Sequence, residues 1–244
     1  MSNTSSQVSE QEFLVSADYW HETRVELRRR LGEGLFVLPQ CSAAGDISPH
    51  VQVDKPAEER MLRLAARTQR EDIAVRIADA ITATLPAIET DLDASPQFAH
   101  RLEELQLPVR TLNQADADEA SAEAERSRER YEQLLADLRA NPDAKKDSRW
   151  YVKITSAYSR MLWNRGVQHR FVDQKTRDRL PAEVHVIRLG DVVFATNRFE
   201  YYLDYGLQIK AHSQAAQTFV VQLAGAGTYL PTESTYVAST LSYS

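Results

Sequence analysis

The β-rich texture after Pro181 constrains the fold of this chain more than any other stretch. Val184, Val186, Ile187 and Leu189 lead into Gly190-Asp191. A two-residue turn of that composition reads as a hairpin, with Val192-Val193-Phe194-Ala195 as the return strand. Thr218-Phe219-Val220-Val221-Gln222-Leu223 is a second apolar β run and reads as a buried strand. Between them, Phe199, Leu203, Leu207 and Lys210 fall in one row at helical spacing, which predicts a helix over 199–210. Gly225-Ala226-Gly227 marks the loosest turn of the chain.

The first two thirds are mostly helical in pattern. Residues 16–31 carry Ala17, Trp20, Leu27 and Leu31 on one stripe, and Gly32 reads as the stop. Leu35-Phe36-Val37-Leu38 reads as a short buried strand ended by Pro39. Pro56 suits the first turn of a helix running to Leu85, with Leu62, Ala66, Ile73, Ile77, Ile81 and Leu85 on its buried face. Asp72 and Arg76 form its outward pair, and Pro86 ends it. Val109–Leu112 reads as a short strand and Asn113 as the cap of a helix over 114–140. That helix has a thin apolar stripe through Ala120, Ala124, Tyr131, Leu134, Leu135 and Leu138. It suits either a coiled-coil arm or a solvated helix packed back on its own domain. Asn141-Pro142-Asp143 breaks it, Ala144–Asp147 reads as an exposed linker, and helical spacing resumes from Tyr151 toward Gly166. The expected fold class is α/β, a mixed sheet with flanking helices and a long helical insertion at about 56–168. Residues 1–12 are expected to be a disordered start and 234–244 an irregular tail.

Composition narrows the function classes. Hydrophobic content of 43% with 26% charged residues is ordinary for a soluble globular chain. The net charge of −6 and the lack of a dense Lys/Arg block argue against nucleic acid as a partner. A single cysteine, Cys41, excludes an internal disulfide and a cysteine-based zinc knuckle. Met1 to Glu10 is polar and Ser-rich, so no signal peptide and no transmembrane segment are expected, and the expected location is cytoplasmic. His21 stands beside Glu22 without a second histidine four residues on, so it is read as surface or structural. His185 is read as structural within its strand.

Three polar clusters lie just past the ends of expected strands: Asp46 and Ser48 after 35–38, Asn197 and Glu200 after 192–195, and Tyr229 after 218–223. Strand ends on one edge of an α/β sheet are where turns converge on a crevice. A hydroxyl, a carboxylate and a phenol meeting there suit hydrolysis: the carboxylate to hold a metal or move a proton, the phenol to ligate or donate, the serine to orient water or attack. Each has a structural alternative. Asp46 and Ser48 suit local backbone hydrogen bonds, Glu200 the first turn of a helix, and Tyr229 an aromatic lid after a glycine turn.

Gly45-Asp46-Ile47-Ser48-Pro49 resembles the Gly-Asp-Val-Ser-Pro-Asn loop that carries the catalytic serine of the neutral/alkaline, non-lysosomal ceramidases. The text from Phe36 to Asp46 is similar to the ceramidase-like proteins of bacteria, as are 185–191, 195–200, 217–224 and 229–233. The resemblance implies zinc-assisted amide hydrolysis, with Ser48 and Asp46 as catalytic residues and Glu200 and Tyr229 as metal ligands. Glu200 matches by position, since the family's Pro-Gly-Glu stands here as Arg198-Phe199-Glu200. Tyr229 matches the tyrosine of the family's Gly-Tyr-Val-Thr-Thr. The family's two zinc-binding histidines precede the serine loop, and none of His21, His50, His100, His169, His185 or His212 occupies a matching motif.

The expectation is therefore the C-terminal part of a ceramidase-like hydrolase domain, acting on a small-molecule or lipid amide. Zinc is expected only with histidines from outside the chain, because catalytic zinc takes three protein ligands. The rivals are a catalytically silent homologue used in binding or assembly, and a half-site completed by a partner chain. An incomplete sheet is expected to leave faces such as Val192–Ala195 uncovered and to drive self-association.

Overall fold

The hairpin at Gly190-Asp191 anchors a mixed α/β fold in the computed structural model, which describes residues 7–9, 15–233 and 235. The expected disordered start and irregular tail otherwise lie outside these residues. In chain order the elements are α1 (Tyr19–Leu31), α2 (Lys55–Ala65), α3 (Gln69–Ile88), β1 (Phe98–Pro108), α4 (Gln114–Ala140), α5 (Val152–Asp173), β2 (Arg179–Leu189), β3 (Val192–Thr196), β4 (Glu200–Tyr201), α6 (Leu203–His212), β5 (Gln217–Val221) and β6 (Tyr229–Leu230). A four-stranded sheet has the order β1-β2-β3-β5, and β4 pairs with β6 in a second, two-stranded sheet. No helix among the described residues is long and apolar enough to cross a membrane.

The chain divides into two compact units, Met1–Glu104 with Glu183–Ser244, and Leu105–Ala182. In the first, α1 packs on α3. Tyr19, Thr23 and Leu27 are buried one turn apart on α1, facing a helix whose buried residues are Ala74 and Ala78. Two alanines at i and i+4 let the backbones come close. Ion pairs fasten the contact: Arg30 to Asp79 at 2.6 Å and Arg70 to Glu22 at 3.2 Å. Hydrogen bonding from Arg29, aided by Arg30, holds the Glu26 carboxyl down at about 2. Gly32 stops α1 at φ 105°, as its position suggests.

Several expectations are corrected here. The helix foreseen over 56–85 is two helices, since Ala66 turns left-handed at φ 50° and Thr68 restarts the chain with a reciprocal capping box to Glu71. Its buried face is Ala74 and Ala78, not the larger residues, and Pro86 lies inside α3 rather than ending it. Leu35–Leu38 forms no strand: Phe36 is 96% and Leu38 76% exposed. Val109–Leu112 is not a strand either, and β1 precedes it within the span expected to be helical. Val192–Ala195 has strand partners on both edges, β2 and β5, and its residues are half-buried.

The second unit is a helical hairpin. Asn113 caps α4 in a reciprocal box with Asp116, as expected of that residue. Ala117, Ala120, Ala124 and Ser127 are buried on α4, and Met161 on α5. α4 therefore packs back along α5, with Arg128 bridging Glu132 at 2.6 Å on its outer face. The expected linker is a short 3₁₀ turn over Pro142–Lys146, and α5 runs through Gly166 to Asp173. Gln174 holds both backbone groups of Leu112, each at 2.8 Å.

Gly227 fixes the last turn by close approach. A Cβ there would lie 2.2 Å from the Arg198 carbonyl oxygen, so no side chain fits without moving backbone. Gly227→Ala is expected to lower stability by about 2 kcal/mol or more, read by urea denaturation. Gly34→Ala, where the added carbon meets nothing within 4 Å, should be near neutral. Equal midpoints for the two variants would contradict this packing.

Candidate active site

Strands β3 and β5 run parallel, in register from Val192↔Gln217 to Thr196↔Val221, so their C-terminal ends share one edge. Asn197 extends the ladder, its N–H reaching the Val221 carbonyl at 2.9 Å. Its buried side chain accepts from the Phe199 N–H at 2.7 Å and turns the chain into β4. Gln222, 3% exposed, follows β5 on the same edge. Its Oε1 accepts from the Tyr201 N–H at 2.8 Å, its own N–H donates to the Cys41 carbonyl at 2.9 Å, and its Nε2 donates to Cys41 Sγ at 3.2 Å.

The loop after Cys41 docks on this edge although the strand expected before it does not form. Ser42, Ala43 and Ala44 are buried. The Gly45 N–H donates to the Tyr201 carbonyl at 2.8 Å, and a Cβ on Gly45 would sit 2.9 Å from the Glu200 carbonyl oxygen. Only glycine allows that approach. Asp46 Oδ1 then accepts the N–H of Leu203 at 2.7 Å. Leu203 opens α6, whose N-cap residue Tyr202 supplies no side-chain cap, so Asp46 caps the helix across 157 residues of chain.

Glu200 and Tyr229 are direct partners in the parallel β4–β6 pair. Their side chains are close enough for the phenol and the carboxyl to act on each other electrostatically. Burial pushes the Glu200 carboxyl above its ordinary value, against the opposing effect of Tyr229. The Tyr229 phenol is also raised, by burial and then by the Glu200 charge, although the residue is 54% exposed. Burial likewise raises the Cys41 thiol; the Gln222 amide opposes the shift and the Glu200 charge adds to it.

Of the four residues singled out by sequence, Glu200 and Tyr229 pair directly, and Asp46 is tied to the segment just after Glu200 through the Leu203 N–H. Ser48 lies two residues beyond Asp46, is exposed, and has the His50 N–H, 3.1 Å from its hydroxyl, as its polar partner. That is the local hydrogen bond foreseen as its structural alternative, whereas Asp46 bonds at long range. Glu200 is corrected in one respect: it belongs to a strand rather than to the first turn of a helix, because pairing with Tyr229 extends the backbone there. Gln222 and Cys41 were not singled out as site residues. The available signal was a lone amide ending the run Phe219-Val220-Val221, since a buried polar group needs partners.

Glu200 and Tyr229 offer two oxygen donors to a metal. Among the described residues no group of three or more His, Cys, Asp or Glu is arranged to hold a metal ion. These residues therefore do not make up a catalytic zinc site by themselves. No family model, no curated protein and no solved structure matches the chain.

With its thiol raised and bonded to Gln222, Cys41 is expected to react with an aromatic disulfide reagent at pH 8 at least tenfold more slowly than in the urea-unfolded chain. Equal rates in the two states would show that the loop does not dock.

Proposed function

We propose that this chain contributes part of a ceramidase-like amidohydrolase site, with Glu200, Tyr229 and the Gly45–Ser48 loop as its share. One observation carries this: the stretches with the ceramidase-like text, far apart in sequence, meet through Gly45 on Tyr201 and Glu200 on Tyr229. The substrate class is a small-molecule or lipid amide. Glu200, its carboxyl raised, takes the proton of an attacking water, and the Tyr229 hydroxyl donates to the oxygen of the tetrahedral intermediate. Asp46 fixes the loop against α6, and the Ser48 hydroxyl lies at the loop's exposed exit.

Zinc in this scheme is held by imidazoles from outside the chain, leaving Glu200 and Tyr229 for proton transfer rather than ligation, which favours the half-site over a site complete in itself. The uncovered apolar run with Phe36 and Leu38, just before the loop, suits the partner or second copy that such a half-site needs.

The test is to capture the chain from its native cells and measure zinc and hydrolysis of a fluorogenic N-acyl amide. The assembly should contain a histidine-bearing chain and zinc. Tyr229→Phe should lower kcat/KM by about 100-fold. Activity should rise with pH through an interval above the ordinary carboxylate range, because Glu200 must ionise, and this limb should vanish in Glu200→Gln. A raised carboxyl pKa in the fold means that ionisation works against stability at neutral pH, so Glu200→Gln should not lower Tm at pH 7. A captured chain without zinc and without turnover would instead support a silent homologue.

A further inference from the structure

Away from that site, β1 and β2 present a chain of three side chains. Glu183 Oε1 lies 2.7 Å from His185 Nε2, and His185 Nδ1 lies 2.9 Å from His100 Nε2. The imidazole planes are 8° apart with centroids 5.1 Å apart, so the rings lie nearly edge to edge. His100 is exposed, and the His185 backbone N–H is tied to Thr196 Oγ1 on β3 at 3.2 Å. A carboxylate only accepts, so Glu183 places the proton of neutral His185 on Nε2 and leaves Nδ1 bare. His100 then donates its Nε2–H to that nitrogen.

We infer that His100 and His185 form a surface site for a late first-row divalent cation, with Glu183 as the positioning carboxylate. The ion takes the place of the proton between the two rings. His100 moves its proton from Nε2 to Nδ1, which has no hydrogen-bond partner among the described residues, and no other bond changes. A swing of both rings toward solvent, with the two nitrogens kept near their 2.9 Å separation, aims both lone pairs at one ion. With metal–nitrogen bonds of about 2.0–2.1 Å, nitrogens 2.9 Å apart subtend roughly 90° at the ion. Those are adjacent positions of the tetragonal field preferred by Cu2+ and Ni2+; tetrahedral zinc needs the nitrogens spread to about 3.4 Å. Water fills the remaining positions. The Glu183–His185 bond is the carboxylate–imidazole arrangement that orients metal-bound histidines.

The experiment titrates NiCl2 and CuCl2 into the untagged full chain at pH 7.5, with calorimetry for affinity and electron paramagnetic resonance on one equivalent of Cu2+. The expected result is one site, Cu2+ tighter than Ni2+, with a spectrum showing two imidazole nitrogens. His100→Ala should remove one nitrogen and weaken binding at least tenfold, and Glu183→Gln should weaken it about tenfold or more while keeping both nitrogens. The unsubstituted spectrum reads the ligand set directly, so the outcome does not depend on how the variants fold. A single-nitrogen spectrum of the unsubstituted chain, or an unchanged spectrum and affinity in His100→Ala, would overturn the site. None of these readouts involves Glu200 or Tyr229.

Discussion

A single buried glutamine holds the candidate-site edge of this protein together. Gln222 sits where β5 ends, and its three hydrogen bonds reach two other parts of the chain: the Tyr201 backbone in β4 and Cys41 at the head of the Gly45 loop. A glutamine in so dry a position is tolerable only when its polar atoms are satisfied, and each bond left unmade costs about 1–3 kcal/mol. That penalty makes the arrangement specific. Register between β3 and β5 places Gln222 beside Asn197, and the loop and β4 then have one way to satisfy it.

Close backbone approach does the rest. Gly45 lets the loop lie on the Glu200 and Tyr201 carbonyls, and Gly227 lets the chain entering β6 pass over Arg198. Gly206 on α6 leaves room for Ala43, where an added Cβ would fall 2.7 Å from the alanine's own. These approaches frame the β4–β6 pairing of Glu200 with Tyr229, where burial is the main cause of both raised groups. The helical hairpin of Leu105–Ala182 is built on another plan, small residues along α4 against α5.

What the sequence made legible divides by range. Local signals held: Gly190-Asp191 as a hairpin turn, Pro56 at a helix start, Asn113 as a cap, Gly32 as a stop. Leu35–Leu38 failed because an apolar run becomes a strand only with a neighbour to pair with, and none pairs with it among the described residues. β1 went unread because nearly every position from Phe98 to Pro108 is exposed, so no alternation of polar and apolar residues marks it. The break before α3 was readable as Thr68-x-x-Glu71, yet the apolar period across it is continuous enough to hide it. Of the site, the three clusters were visible as residues after strand-like runs. Their meeting depends on pairings 29 and more residues apart that no local pattern encodes.

The convergence of the Gly45 loop, β4 and the end of β5 is the claim on which the functional account stands, and amide hydrogen exchange tests it most directly. The N–H groups of Gly45, Tyr201, Leu203 and Gln222 should be protected at least 100-fold over the unfolded chain and should exchange as one cooperative group. Gln222→Leu should release all four together while the Ile187–Phe194 pairing of the hairpin stays protected. Exchange of Gly45 and Leu203 at unfolded rates in the unsubstituted chain would contradict the account, because the loop would then not be docked where Glu200 and Tyr229 meet.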